Sequence, residues 1–186
     1  MRALLRLLVW LLVLGACAVA ALALWRSDWL LLARTSWELS QMPRPVALPV
    51  PVEGVRAARI ADTFGAPRGR DRTHQGVDIF AARGTAVTSA TRGIVASVRE
   101  GGLGGRQVWV IGPAGERHYY AHLDDWAPGL ARGDIVRAGE TLGSVGTTGN
   151  AQGTPPHLHY GIYGANGAYD PLPLLRAPAT PQPAGR

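Results

Sequence analysis

The chain contains no lysine and only one cysteine, Cys17, among its 186 residues. A single cysteine excludes an intrachain disulfide, so the fold must be stable without one. The net charge of +6 at pH 7 comes from arginine alone. A basic protein is attracted to anionic surfaces, which include nucleic acids and bacterial envelopes. No recognition helix and no basic, aromatic strand motif is present, and we therefore expect no nucleic-acid partner.

Histidine is also scarce, with five residues in the chain. Two of them, His157 and His159, stand one residue apart, and His74 precedes Asp78 by four positions. Alternate side chains of a β-strand point to the same face, so both members of the His-x-His pair can point into one cavity. On a helix the two side chains would point in different directions. A lone histidine is more often structural than a ligand, but scarcity makes a chance pair unusual. Two histidines and one aspartate would form a zinc site whose fourth position stays open, as in catalytic sites.

The spacing of His74 and Asp78 would also suit one face of a helix. The surrounding glycines, and the alternation of Val77 and Ile79 about the aspartate, favour a loop that enters a strand. No His-Glu-x-x-His sequence occurs, and the five glutamates lie outside these motifs. Imidazole, whose unperturbed pKa is about 6.5, is therefore the available proton carrier.

Several short motifs follow one another along the chain: Thr63-Phe64-Gly65, His74-x-x-x-Asp78, Ala81-x-x-Gly84-Thr85-x-Val87, Tyr120-Ala121-His122-Leu123, a glycine-spaced run from Gly133 to Gly149, and His157-Leu158-His159-Tyr160. In this order they resemble the motifs of the LytM/lysostaphin-type metallopeptidases, family M23, and the resemblance spans roughly residues 60–172. The resemblance implies an enzyme that hydrolyses peptide cross-links of bacterial peptidoglycan, in stem peptides or cross-bridges, with metal-activated water. It also implies that His74, Asp78 and His159 bind Zn²⁺, and that His122 and His157 are catalytic without binding it.

The sequence does not decide which of the two catalytic histidines, His122 or His157, acts first. His157 is expected to activate the water because it lies beside His159 on the same face, while the resemblance suggests that His122 stabilises the oxyanion or protonates the leaving amine. His118 matches no motif position. It shares strand alternation with His122, and we expect it at the surface or just outside the site.

Two other functions are alternatives. Some LytM-like domains have lost their metal and activate other cell-wall hydrolases, so the chain could be a regulatory module with an unidentified partner. It could also be a membrane-anchored peptidase that acts on exported proteins. The presence of all three ligand candidates and both further histidines favours the hydrolase.

The N-terminal residues, first charged and then apolar, follow the order that is typical of an exported protein. Arg2 and Arg6 precede an uncharged run from Leu7 to Trp25, which at about 1.5 Å per residue just spans a bilayer core of about 30 Å. We expect a retained transmembrane helix in residues 1–26, with the catalytic domain in the periplasm or outside a bacterial cell. A cleaved signal peptide and a lipoprotein signal ending at Cys17 are the alternatives.

The rest of the chain divides into a linker, a domain and a tail. Residues 27–55 are expected to hold a juxtamembrane helix from Ser27 to Gln41 and a proline-rich, extended spacer over 43–52. Residues 56–175 are the peptidase domain, and residues 176–186 a disordered tail. Within the domain, short strands separated by glycine turns indicate an all-β, largely antiparallel sheet or sandwich of the LytM type. The clearest strands are Ile94 to Val98, Gln107 to Ile111, Arg117 to His122 and His157 to Ile162.

Overall fold

The computed structural model describes residues 2–25 and 27–178. The chain separates into two compact units, Met1–Trp37 and Glu38–Arg186. The first unit contains helix α1 (Arg2–Trp25) and most of helix α2 (Asp28–Gln41). Leucine and alanine, which lose little side-chain freedom in a helix, are frequent in α1. Helix α2 lies within the segment from Ser27 to Gln41 in which the sequence predicts a helix.

Within the described residues, no helix combines the length and the apolar character that a membrane crossing requires. The prediction of a transmembrane helix, which rested on the run from Leu7 to Trp25, is therefore wrong, and so is the location in a bacterial cell membrane that depends on it. The prediction rested on the two arginines before that run, on its lack of charge and on its length of 19 residues, which lies near the lower limit of about 17 residues for spanning.

The second unit is built on an antiparallel β-sheet, in which every pairing of the described strands is antiparallel. The strands are β1 (Val77–Phe80), β2 (Ala86–Thr88), β3 (Gly93–Glu100), β4 (Arg106–Ile111), β5 (Arg117–Trp126), β6 (Ile135–Val136), β7 (Thr141–Val145), β8 (His157–Gly164) and β9 (Gly167–Tyr169). The main order is β1-β8-β5-β4-β3-β6, while β7 pairs with β2 and β5, and β9 pairs with β8. This confirms the predicted all-β, largely antiparallel domain, and the four predicted strands fall within β3, β4, β5 and β8.

Strand β8 separates the core from the candidate site. Leu158, Tyr160 and Ile162 have no exposed surface and belong to the hydrophobic core. His157 and His159 alternate with them and therefore face the other side of the strand, as the period of two predicts. Burial of the apolar set holds the strand in register, because a slip of one residue would move every side chain to the opposite face.

The segments before and after the strands pack on the domain. Leu48 and Val52, in the predicted spacer, are only 5% and 2% exposed and belong to the core. The spacer segment is therefore docked on the domain over part of its length, because its alternating apolar side chains find a partner surface. A short helix, α3 (Leu172–Arg176), adds two buried leucines to the same core. The predicted disordered tail falls mostly on residues 179–186, which lie outside the described residues.

Candidate metal centre

Three of the predicted site residues converge where β1 meets β8. Asp78 lies opposite His159 in the register of the two strands, and His74 lies on the loop that leads into β1. His74 Nε2 is 2.8 Å from His159 Nδ1 and 3.1 Å from Asp78 Oδ1, and His159 Nδ1 is 3.2 Å from the same oxygen. The three side chains form a donor set that can hold a metal ion.

The donor set fits Zn²⁺ in both protonation and size. His74 Nδ1 lies 2.8 Å from the carbonyl oxygen of Thr63 and 3.0 Å from a guanidinium nitrogen of Arg68. The carbonyl oxygen is the nearer partner and can only accept, so Nδ1 carries the hydrogen, and Nε2 carries the lone pair and points at the other two donors. Ligand atoms about 2.0–2.1 Å from a tetrahedral zinc ion lie about 3.3 Å apart. The observed separations of 2.8, 3.1 and 3.2 Å are close to that value. The residues therefore fit a three-ligand zinc site.

The two oxygens of Asp78 have different partners. Oδ1 faces His74 and His159, whereas Oδ2 accepts a hydrogen bond from the guanidinium of Arg68. Burial alone would raise the pKa of Asp78, but the hydrogen bonds with His159, His74 and Arg68 hold that pKa below its ordinary value. The carboxylate is therefore ionised and suited to a cation. Sequence reasoning missed Arg68; the signal was the density of arginine just before His74.

His122 and His157 lie beside this donor set, with ring centres 5.1 Å apart. His157 Nδ1 donates to the carbonyl of Pro155 at 2.8 Å, and His122 Nδ1 donates to that of Thr148 at 2.9 Å. Each ring therefore keeps its lone pair on Nε2. His157 Nε2 is 3.9 Å from Asp78 Oδ1, outside hydrogen-bond distance. Burial lowers the pKa of His122 to about 4, so this imidazole is neutral near pH 7.

An irregularity in β5 turns His122 toward the site. His122 has a φ of +64°, a left-handed conformation that costs a non-glycine residue about 1–3 kcal/mol. The pairing of β5 with β4 and with β7 shifts register near it. Consequently Ala121 and His122, although consecutive, both line the cleft, while Leu123 lies in the core. A hydrogen bond of 2.8 Å from the His122 amide to the carbonyl of Gly104 holds the conformation.

His118 lies on the core side of β5. It has no exposed surface, and its Nδ1 is 2.8 Å from the hydroxyl oxygen of Tyr160. Burial lowers its pKa to about 4. The expected surface location is wrong, because the irregularity at His122 separates two residues that regular alternation would place on one face.

All five predicted site residues line one cleft of about 460 Å³, a size typical of binding sites. One wall is the segment before His74, which includes Arg68 and Arg72. Tyr119 and Tyr163 also line the cleft, and the ring centre of Tyr119 lies 5.7 Å from that of His159. Several further lining residues are uncharged: Leu103, Gly104, Asn150, Ala151 and Thr154.

Comparison with known proteins identifies relatives of this arrangement. Residues 72–171, more than half of the chain, match the model for Peptidase family M23. The L-Ala–D-Glu endopeptidase of Bacillus subtilis (strain 168) is 39% identical over an alignment of 142 residues, which covers 70% of this chain and 43% of that protein. The glycyl-glycine endopeptidase ALE-1 of Staphylococcus capitis is 34% identical over an alignment of 110 residues, which covers 56% of this chain and 29% of that protein. The chain thus spans less than half the length of the curated relatives it matches.

A solved structure supports the same relationship. The catalytic domain of the antimicrobial peptidase lysostaphin from Staphylococcus simulans aligns with a TM-score of 0.57 and 31% identity. The alignment covers 64% of this chain and 92% of that one. The similarity therefore takes in nearly the whole of that catalytic domain.

Proposed function

The chain belongs to peptidase family M23, and on that basis we propose that it is a zinc-dependent endopeptidase that hydrolyses peptide cross-links of bacterial peptidoglycan. The observation that carries the proposal is the convergence of His74 Nε2, Asp78 Oδ1 and His159 Nδ1 within 3.2 Å of one another in an accessible cleft. Three ligands that leave a fourth position open are typical of catalytic rather than structural zinc. The endopeptidase names of the relatives agree with this class of reaction.

His74, Asp78 and His159 would hold the ion. Zn²⁺ bound there would lower the pKa of a coordinated water toward about 7 and polarise the scissile carbonyl. The hydrogen bond to Thr63 keeps His74 in the tautomer that presents Nε2. Arg68 engages the second oxygen of Asp78, so that Oδ1 alone faces the two histidines.

His157 and His122 would carry the protons. The Nδ1 hydrogen of each ring is engaged by a backbone carbonyl, so each imidazole accepts a proton at Nε2. We assign the first transfer, from the attacking water, to His157, whose Nε2 lies 3.9 Å from Asp78 Oδ1. His122 would accept the second proton of the former water at Nε2 and would then hydrogen-bond the oxyanion or protonate the leaving amine.

The proposal is tested by digesting purified peptidoglycan sacculi with the full chain and separating the products by mass. We expect new muropeptides that disappear with a zinc chelator and return when Zn²⁺ is added. Asp78→Asn is the matched control, because it keeps the shape of the side chain and removes its charge. Unchanged muropeptides from protein that holds zinc would refute an autonomous hydrolase and favour a regulatory module. Cleavage of unfolded proteins but not of sacculi would favour a peptidase for exported proteins.

A further inference from the structure

An arginine-bearing hairpin forms one wall of the cleft. Its two sides are joined by an antiparallel bridge between Pro67 and Thr73, and the amide of Arg68 donates to the carbonyl of Arg72 at 2.8 Å. Gly69, with a φ of +74°, allows the tight turn between them. The hairpin therefore holds its side chains at defined places beside the metal centre.

The charged residues of the hairpin differ in their contacts. Arg68 is engaged by Asp78, with 43% of its side chain exposed. Arg72 is exposed and lines the cleft, and it has no ion-pair partner within the part of the chain that the structure describes. Asp71 lines the cleft as well, but Arg70 and Arg72 flank it in sequence, so the hairpin keeps a net positive charge. Arg72 is thus the cation that is available to a ligand.

The arginines of the cleft are both on the hairpin, whereas Leu103, Gly104, Asn150, Ala151 and Thr154, which also line the cleft, are uncharged. The carboxylate of Asp78 is already paired with Arg68. A net positive hairpin attracts an anionic group of a ligand to this part of the cleft.

The names of the two relatives described above, the L-Ala–D-Glu endopeptidase and the glycyl-glycine endopeptidase, refer to two chemical classes of peptide bond. A bond between two glycines has no ionisable side group nearby. A glutamate that forms one peptide bond through one carboxyl group keeps the second carboxyl group free, and a free carboxylate is the group that an arginine fork binds best. The available arginine in the cleft therefore favours the acidic class.

We infer that this chain cleaves peptides that carry a free carboxylate on a residue adjoining the scissile bond, and that Arg72 is the specificity-determining residue that binds this carboxylate. The inference rests on the proposed endopeptidase function and narrows its substrate. The carboxylate must lie close to the scissile bond, because Arg72 and the donor set share one cleft of about 460 Å³. Arg68 is a poorer choice for the test, since its replacement would also disturb Asp78.

The test compares two stem-type peptides that differ at one group, a free carboxylate or a carboxamide on the residue after the scissile bond. For the zinc-loaded full chain, we expect kcat/KM to favour the carboxylate by about 10- to 100-fold, the worth of one charge-assisted, bidentate contact. Arg72→Gln should reduce this preference to less than about threefold, mainly through KM. Arg72→Lys should retain part of the preference, because it keeps the charge and loses the fork.

Arg70→Gln is the matched control, because Arg70 is an exposed arginine of the same hairpin that is outside the described lining of the cleft; it should keep the wild-type preference. Equal cleavage of both peptides by the wild type, or an unchanged preference in Arg72→Gln, would overturn the inference.

Calorimetric measurement of the binding of the two peptides distinguishes a failure of this inference from a failure of the proposed function. Selective binding of the carboxylate peptide without cleavage would support the recognition and refute the hydrolase, and equal binding without cleavage would refute both.

Discussion

The two members of the His-x-His pair are predicted to respond differently to replacement by alanine. His159 supplies one of the three donor atoms, at 2.8 Å from His74 Nε2 and 3.2 Å from Asp78 Oδ1. His159→Ala leaves two donors. Loss of a residue that only orients a zinc ligand weakens zinc binding by about 10- to 100-fold, so loss of the ligand itself should weaken it by more than about 100-fold, and activity should disappear with the metal.

His157 faces the same side of β8 but lies outside the triangle of donors. Its Nε2 is 3.9 Å from Asp78 Oδ1, and its Nδ1 is engaged by Pro155. His157→Ala therefore removes a proton carrier and leaves the donor set complete. We expect zinc binding close to that of the wild type, while kcat falls by about 10²- to 10⁴-fold, the usual contribution of general acid–base catalysis.

The assay measures bound zinc by elemental analysis after dialysis against a weak chelator, and hydrolysis of sacculi on the same samples. Circular dichroism of each variant establishes that the sheet is intact. Loss of zinc in His157→Ala with retention in His159→Ala would show that the roles are reversed. Full zinc content and full activity in both variants would show that the metal lies elsewhere.

Three further predictions concern the surroundings of the site. His122→Ala should keep zinc and lose about 10²- to 10⁴-fold in kcat, because its Nδ1 is engaged by a backbone carbonyl rather than by the donor set; full activity would remove it from the mechanism. Gly76→Ala would place a Cβ atom in steric conflict with the Tyr160 carbonyl oxygen and 2.9 Å from the ring of His159. We therefore expect about 1–3 kcal/mol of destabilisation and weaker zinc binding, measured by thermal unfolding with and without Zn²⁺. For His118, with a pKa of about 4 in the folded state, the unfolded state binds more protons between about pH 6.5 and pH 4. Its contribution to the free energy of unfolding therefore falls by about 3 kcal/mol as the pH drops through this range. His118→Gln, which preserves a hydrogen-bonding group near Tyr160, should remove that pH dependence in urea unfolding, and an unchanged dependence would assign it to other groups.

The sequence by itself determined the class of the fold and the candidate residues of the site. Period-two alternation in β8 requires only that Leu158 and Tyr160 be buried, and it then places His157 and His159 together on the other face. Glycines at the ends of short β-branched runs indicate the turns of an antiparallel sheet for the same local reason. The prediction from the run Leu7 to Trp25 was wrong: its length, its lack of charge and the two arginines before it indicated a membrane helix, whereas no helix among the described residues is long and apolar enough to cross a membrane.

Only the tertiary structure decided how the histidines divide between core and cleft. Regular alternation makes His118 and His122 equivalent, whereas the positive φ at His122 sends one ring into the core and the other to the cleft. That conformation depends on the Gly104 carbonyl, which accepts the His122 amide, and on Thr148, which fixes the ring. Both partners are distant in the sequence. Local patterns carry information about residues that are neighbours along the chain, while a strained backbone angle is stabilised by contacts that exist only after the chain has folded.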